Sequence, residues 1–265
     1  MEPIRAAEDA LAEEPGPGAL RPIWADLHLH TVVSACAEVE MIPPLIMEQA
    51  QSLGLGIIAV TDHHTADNVA AMQRAGREHG IAVLPGMEVA SREGADIVCL
   101  FDTLEQVLAW QDAVYAHLPE QKNRPEFFGA QYVVDETGEF MRENERLLAT
   151  STSFAVEELV RRVLALGGLA IAAHVDRPSG SLLGNLGFVP PDLPLAALEL
   201  SVRTSPAVFL AQHPELAAWP IIVSGDAHRL NEMRASTFFT VAAATVPELA
   251  LAFGARDGRK FRAFA

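Results

Sequence analysis

Five short segments carry nearly all the residues that could do chemistry. His28 and His30 form an H-x-H pair, and a period of two turns both imidazoles to one face of an extended segment. Thr61-Asp62-His63-His64 sets an acid beside two histidines, and Pro85-Gly86-Met87-Glu88-Val89 ends a turn in a carboxylate between apolar residues. Ala172-Ala173-His174-Val175-Asp176-Arg177-Pro178 combines an imidazole, an acid and an arginine, and Ser224-Gly225-Asp226-Ala227-His228 repeats the i, i+2 spacing. Imidazole and carboxylate donors together suit Zn, Mn or Fe, whereas Ca wants oxygen alone. So many donors exceed the needs of one ion and imply two or three, with an acid such as Glu88 bridging them. Such centres activate water and clamp the attacking and leaving oxygens of an in-line displacement. His79, His117 and His213 lie in helical stretches without partners and read as surface residues.

These segments need a scaffold that gathers them. Apolar runs too short for helices occur at 23–29, 56–60, 81–84, 96–101, 169–173, 197–201 and 220–224, giving about seven strands. Helical patterns alternate with them: one from Pro43-Pro44 to Gly54, one from Ala66 to Gly80, and one from near Ser153 to Gly167-Gly168. Thr103-x-x-Gln106 and Thr245-x-x-Glu248 fit capping boxes. This alternation predicts a parallel sheet, open or closed into a barrel, with the reactive segments gathered at one end. The stretch 131–146 departs from the pattern and predicts a hairpin about Glu136-Thr137-Gly138, within an insertion at about 102–155. Residues 1–22 read as an acidic tail broken by Pro15-Gly16-Pro17-Gly18, ahead of a single domain over 23–265.

Composition narrows the partners. The 265 residues include 19 Lys+Arg against 35 Asp+Glu, a formal net charge of −16. Such a surface repels nucleic-acid phosphates, so no duplex is expected, and an anionic substrate needs a local positive centre. Two cysteines, Cys36 and Cys99, cannot build a disulfide framework, and no apolar run reaches the roughly 18 residues of a membrane span. A soluble cytoplasmic protein is the expectation; composition says nothing of oligomeric state.

Through DLHLHT at 26–31, AVTDHH at 59–64, PGMEV at 85–89, AAHVDRP at 172–178 and SGDAH at 224–228, the sequence resembles the PHP (polymerase and histidinol phosphatase) family of metal-dependent phosphoesterases. The resemblance covers about residues 22–235 and implies a distorted (β/α)7 TIM-like barrel. It implies that His28, His30, Glu88 and Asp226 hold one metal, that His63 and His228 hold a second, and that Glu88 and His174 contribute to a third. Asp62 would orient His63 or a water molecule. Two positions depart from the family pattern. After the H-x-H, where the family has a histidine or aspartate, stands Ser34-Ala35-Cys36-Ala37-Glu38-Val39-Glu40, so Cys36 as thiolate, Glu38 or Glu40 are alternative ligands, and Cys36 could equally be a small buried hydrophobe. At the start of the fourth strand Asp96 stands where the family often has histidine.

The activity the resemblance implies is hydrolysis of a phosphoester, a small phosphorylated metabolite or nucleotide, by a metal-bound hydroxide. Arg177 is the leading phosphate-binding residue, Arg203 and Arg229 are further candidates, and His64 is a candidate proton donor to the leaving oxygen. Two other readings remain: a mononuclear amidohydrolase-type hydrolase, and a non-catalytic metal-bearing binding module. The binuclear amidohydrolase arrangement often uses a carboxylated lysine at a strand end, and neither Lys122 nor Lys260 is so placed.

Overall fold

A computed structural model describes residues 18–264. Of the expected tail, residues 1–17 lie outside the described residues, while Arg21 and Pro22 already belong to the first strand. The strands are β1 (Arg21–Leu29), β2 (Leu55–Val60), β3 (Ala82–Ala90), β4 (Asp96–Leu100), β5 (Tyr132–Val134), β6 (Phe140–Glu143), β7 (Leu169–Ala172), β8 (Ala197–Leu200), β9 (Ile221–Val223), β10 (Thr237–Val241) and β11 (Lys260–Ala263). The helices are α1 (Pro43–Ser52), α2 (Val69–His79), α3 (Leu104–Tyr115), α4 (Pro125–Phe128), α5 (Val156–Ala165), α6 (Leu182–Leu186), α7 (Pro206–Gln212) and α8 (Val246–Phe253).

One nine-stranded sheet runs β11-β10-β1-β2-β3-β4-β7-β8-β9. It curls until the segment after β9 meets β1: Leu29 bridges Ala227 in parallel, and His30 N donates to Ala227 O at 2.9 Å. Seven strands thus enclose a TIM-like barrel, the closed one of the two arrangements the alternation left open and the one the resemblance implied, with β10 and β11 added antiparallel beside the first half of β1. Those two strands were missed, although Thr237-Phe238-Phe239-Thr240-Val241 carries the β-branched and aromatic signal of a strand. The barrel is not all parallel. β4 runs antiparallel to both β3 and β7, which corrects the expected parallel sheet. Reversal places the first residue of β4, Asp96, at the end where its neighbours finish.

Alternating side chains separate two apolar layers. Leu27, Ile57, Ala59, Leu84, Val98, Ile171 and Ile222 fill the barrel, closed at its base by Val246 and Leu249 of α8. Met47, Val69, Trp110, Phe154 and Val160 belong to the outer layer between strands and helices. In β1 the parity changes: Leu27 packs inward and Leu29 outward, with a register shift against β2 between Asp26 and Leu29. The irregularity turns His28 and His30 to the inside.

Local signals hold at most ends. Gly80 caps α2 in the left-handed conformation at φ 69°, and Thr103 with Gln106 forms the full capping box of α3. At Thr245 only half of the predicted box forms, because the Glu248 carboxylate turns to Arg259 and to Ala242 N. The hairpin exists as β5–β6, a separate two-stranded sheet. It is fastened to the barrel by the buried Asn68, whose Nδ2 donates to Thr31 Oγ1 (2.9 Å) and Tyr132 O (3.2 Å) while Oδ1 accepts from Val134 N (2.9 Å). Asn68→Ala should therefore cost about 1–3 kcal/mol, since it leaves buried polar partners unpaired. Chemical denaturation checks this, and an unchanged midpoint would show that the hairpin is held elsewhere.

Candidate metal centre

At the mouth, the inward side chains stop being apolar. Glu88 ends the inner row of β3, Asp96 starts that of β4, and Glu199 continues that of β8; their neighbours Val89, Ile97, Leu198 and Leu200 pack outward. His174 and Asp226, just beyond β7 and β9, have φ of 30° and 47°, as does His64 after β2 at 56°. Left-handed backbone is uncommon outside glycine, though Asp and His tolerate it better than most, and it recurs where side chains are aimed for function.

Glu88 is the hub. It is buried, with Oε1 3.1 Å from His174 Nε2 and 3.4 Å from His28 Nε2, and Oε2 3.0 Å from His63 Nδ1 and 3.4 Å from His30 Nε2. Asp226 Oδ1 lies 3.2 Å from His28 Nε2 and 3.1 Å from His30 Nε2. Potential ligand atoms fall into three overlapping groups: His28, His30, Glu88 and Asp226; His30, His63 and His228; Glu88, Asp96 and His174. The first is the set implied by the resemblance. His30 joins the second, and Asp96 completes the third, its Oδ2 4.0 Å from His174 Nε2.

These residues fit divalent transition metals on three grounds. Metal–ligand bonds of about 2.0–2.2 Å put neighbouring donors roughly 3.0–3.5 Å apart, the spacing seen around Glu88 and Asp226. Glu88 Oε2 is buried and makes no hydrogen bond. Most telling, His28 Nε2 and His30 Nε2 lie 3.2 Å apart. His28 Nδ1 donates to Glu199 Oε1 at 2.9 Å, and His30 Nδ1 faces Ser34 Oγ at 3.1 Å. Ser34 gives its own proton to Asp62 Oδ1 at 2.7 Å, so it accepts from His30. With the proton on Nδ1, each neutral ring turns its Nε2 lone pair toward the other, an arrangement suited to a cation between them. Burial and the adjacent Glu88 charge push Asp96 up to about 7, a repulsion that a shared cation would relieve.

Of two expected roles, one holds at one remove and the other does not survive. Asp62 reaches no ligand group; its oxygens are taken by Thr31 N (2.6 Å), Thr31 Oγ1 (2.7 Å) and Ser34 Oγ, and Ser34 in turn accepts from His63 N at 3.2 Å. It acts through Ser34 on His30 and His63 and touches no reacting atom. His64 is no proton donor, because Nδ1 donates to Leu148 O at 2.9 Å and Nε2 accepts from Ala90 N at 3.0 Å. Burial and the neighbouring His63 lower it to about 4, so it stays neutral and ties the insertion to β3. Glu199 was missed, although it shows the signal that marked Glu88, a lone acid in an apolar run. Besides orienting His28, its Oε1 accepts from His174 N at 3.2 Å.

Two cavities open on either side of the cluster. One, of about 280 Å³, is lined by His63, Asp96, Ala90, Phe128, Leu148 and Ala149 and is mostly apolar. The other, of about 340 Å³, is lined by Arg177, Arg203, Arg229 and Arg234 with Asp226 and His228. Arg177 Nη1 lies 2.6 Å from Asp226 Oδ2, while Arg229 is neutralised by Glu38 (2.6 Å) and Glu232 (3.1 Å). Cys36 borders both cavities. Burial raises its thiol, but the neighbouring His228 and His63 imidazoles outweigh this and bring it to about 6. Lys122 pairs with Glu145 and Lys260 sits on β11, so neither bridges metals as a carboxylated lysine would.

The PHP domain model matches residues 26–177. An uncharacterized protein of Bacillus subtilis, YqxK, is 22% identical over 258 residues, covering 91% of this chain and 64% of its own length. The chain spans 49% to 64% of the length of the curated relatives it matches. Among solved structures, the lesion-specific endonuclease Q of Pyrococcus furiosus superposes with a TM-score of 0.66 at 20% identity, over 91% of this chain and 58% of the endonuclease. A protein of Bifidobacterium adolescentis assigned as a metal-dependent phosphoesterase gives 0.51 at 18% identity, over 82% and 90%. At these identities the solved structures share the fold, and the family rests on the sequence model, which spans more than half of the residues. The chain belongs to the PHP domain family.

Proposed function

We propose that the protein is a metal-dependent phosphoesterase that hydrolyses a small phosphorylated metabolite or nucleotide at two or three divalent transition ions. The observation that carries this reading is the buried Glu88 carboxylate, whose two oxygens lie within 3.4 Å of four imidazoles. Bound divalent ions would supply an activated water and neutralise the phosphoryl oxygens. His28, His30, Glu88 and Asp226 would hold one ion, His30, His63 and His228 a second, and Glu88, Asp96 and His174 a third. Glu199 and Ser34 hold the rings by Nδ1, which directs Nε2 of His28 and His30 inward, where it would ligate.

Arg177 is positioned to take the phosphate. Its guanidinium is anchored on the Asp226 oxygen turned away from the histidines, leaving further N–H groups for a phosphoryl oxygen. Arg203 and Arg234 line the same cavity and, among the described residues, form no ion pair with a carboxylate. Arg229, spent on Glu38 and Glu232, is the weakest of the expected anion binders. The apolar cavity would receive the leaving group. A solved endonuclease Q complex holds a 27-mer duplex with an abasic lesion at the active site. For this chain the net charge of −16 and the two small cavities support a small ester instead.

Three outcomes test this. Metal-replete protein should contain two or three ions by elemental analysis and cleave members of a phosphomonoester and phosphodiester panel, and Glu88→Gln should lower both metal content and turnover, the latter at least about a hundredfold. Full activity in that variant would make Glu88 structural. Arg177→Ala should lower kcat/KM by about 10–150-fold, the loss of one charge-assisted hydrogen bond of roughly 1.5–3 kcal/mol. Its ions should be retained, since Asp226 keeps Oδ1 toward the histidines; wild-type efficiency would remove Arg177 from the site. Glu199→Gln should weaken metal binding about 10–100-fold while preserving the fold, as read by competition with a chelator. Unaltered affinity would show that His28 needs no carboxylate to orient it.

A further inference from the structure

Two polar residues, His64 and Gln131, line the apolar cavity beside His63 and Asp96, yet neither offers it a polar atom. His64 Nδ1 donates to Leu148 O at 2.9 Å, and its Nε2 accepts from Ala90 N at 3.0 Å. Gln131 is buried and spends its amide protons on Asn144 O and Arg146 O, each at 2.7 Å, while Oε1 accepts from Leu148 N at 3.3 Å. The backbone is similarly occupied. Ala90 O accepts from Thr152 N (3.0 Å) and Thr152 Oγ1 (2.7 Å), and Leu148 O accepts from Thr150 N (2.9 Å) besides His64. These bonds fasten the insertion to β3 and leave the wall to the carbon atoms of Ala90, Phe128, Leu148 and Ala149. Apart from the candidate metal donors His63 and Asp96, the remaining side-chain polar groups of the lining are the Thr150 hydroxyl and the Cys36 thiol, a weak donor.

Size and chemistry then limit what fits. The space is about 280 Å³. An apolar cavity of roughly 150 Å³ accepts a benzene ring, so there is room for a ring and a short chain. A sugar, a nucleoside's ribose or an amino alcohol would carry several hydroxyl or amino groups into this space. Each such group that leaves water without a new partner weakens binding about 10–100-fold. The cavity across the cluster is the opposite, lined by Arg177, Arg203 and Arg234. The two sides therefore divide an ester between them, the phosphoryl group toward arginine and the organic group toward carbon.

We infer that the apolar cavity selects phosphate esters of apolar alcohols, aromatic or branched aliphatic, over those of sugars, nucleosides and amino alcohols, with Phe128 and Ala149 as the residues that set this preference. The inference rests on the reading of the mouth as a phosphoesterase centre and narrows its substrate. Hydrolysis breaks the ester bond, and water supplies both the oxygen added to phosphate and the proton that leaves on the alcohol, so no co-reactant is needed.

The test compares kcat/KM for benzyl phosphate and glycerol 3-phosphate, two esters of primary alkyl alcohols. Metal-replete wild type should favour benzyl phosphate at least about a hundredfold. Phe128→Asn, which places an amide on the wall, should lower that ratio at least about tenfold with metal content and melting temperature retained. Ala149→Trp fills the space from an exposed position and should lower it by as much. A second measurement needs no turnover. Benzylphosphonate, which has no ester bond to cleave, should bind the metal-loaded protein at least about tenfold more tightly than methylphosphonate by calorimetry, and Ala149→Trp should remove the difference. Equal efficiency on the two esters, or equal affinity for the two phosphonates, overturns the assignment. A preference in phosphonate binding without hydrolysis of either ester refutes the proposed reaction and supports the selectivity of the cavity; hydrolysis without preference refutes the selectivity alone.

Discussion

An acid buried among imidazoles organises this molecule. Taking Glu88 out of water would be unfavourable by several kcal/mol unless cationic or metal partners repay it. Around it stand His28, His30, His63 and His174, each delivered by a different turn or strand end, apart from the pair on β1. The barrel can be seen as the device that brings these ends together. Its closure by Leu29 and Ala227 carries Asp226 and His228 to the H-x-H, and the reversal of β4 adds Asp96.

Around the donors lies a shell of groups whose job is orientation. Ser34, Asp62, Glu199 and Asn68 each satisfy several partners at once, and most of these contacts join segments far apart in sequence. Asp26 belongs with them. It is buried at the base of the H-x-H motif and accepts from Gly225 N and Arg234 N, both at 2.9 Å, fixing the segment that bears Asp226 and His228. The rings are thus held in place by the protein's own groups, and an ion bound there would meet donors already oriented.

Much of this was legible in the chain. Period-two spacing located His28 with His30, and Asp226 with His228, because alternation is a local property of extended backbone. The recurrence of donors at strand ends placed them on one mouth. What sequence could not show depended on long-range geometry. His64 and Asp62 are chemically as reactive as their neighbours, and only the positions of Leu148, Ala90, Thr31 and Ser34 reveal that their polar atoms are already committed. Glu199 was hidden among apolar residues for the opposite reason, since its partner His28 lies 171 positions away. The direction of β4 was likewise invisible, because a short apolar run reads the same in either sense.

That reversed strand has an architectural consequence. A strand that runs from mouth to base leaves the chain at the wrong end to begin β7's predecessor helix directly. α3 therefore climbs from beside Leu166 at the base, where Gln106 Nε2 meets Leu166 O, to the level of Thr65 and Asn144, and α5 descends from Glu93 at the rim. Between them residues 116–155 must cross the opening, and Phe128, Leu148 and Ala149 become a wall of the apolar cavity on the way. The route is an excursion that starts and finishes on stable helices and carries no residue of the three donor groups. Its composition is therefore answerable to the cavity it walls and to its fastenings on His64 and Asn68, so the same reversal that brings Asp96 to the donors also builds a roof that contributes shape above them and no donor of its own.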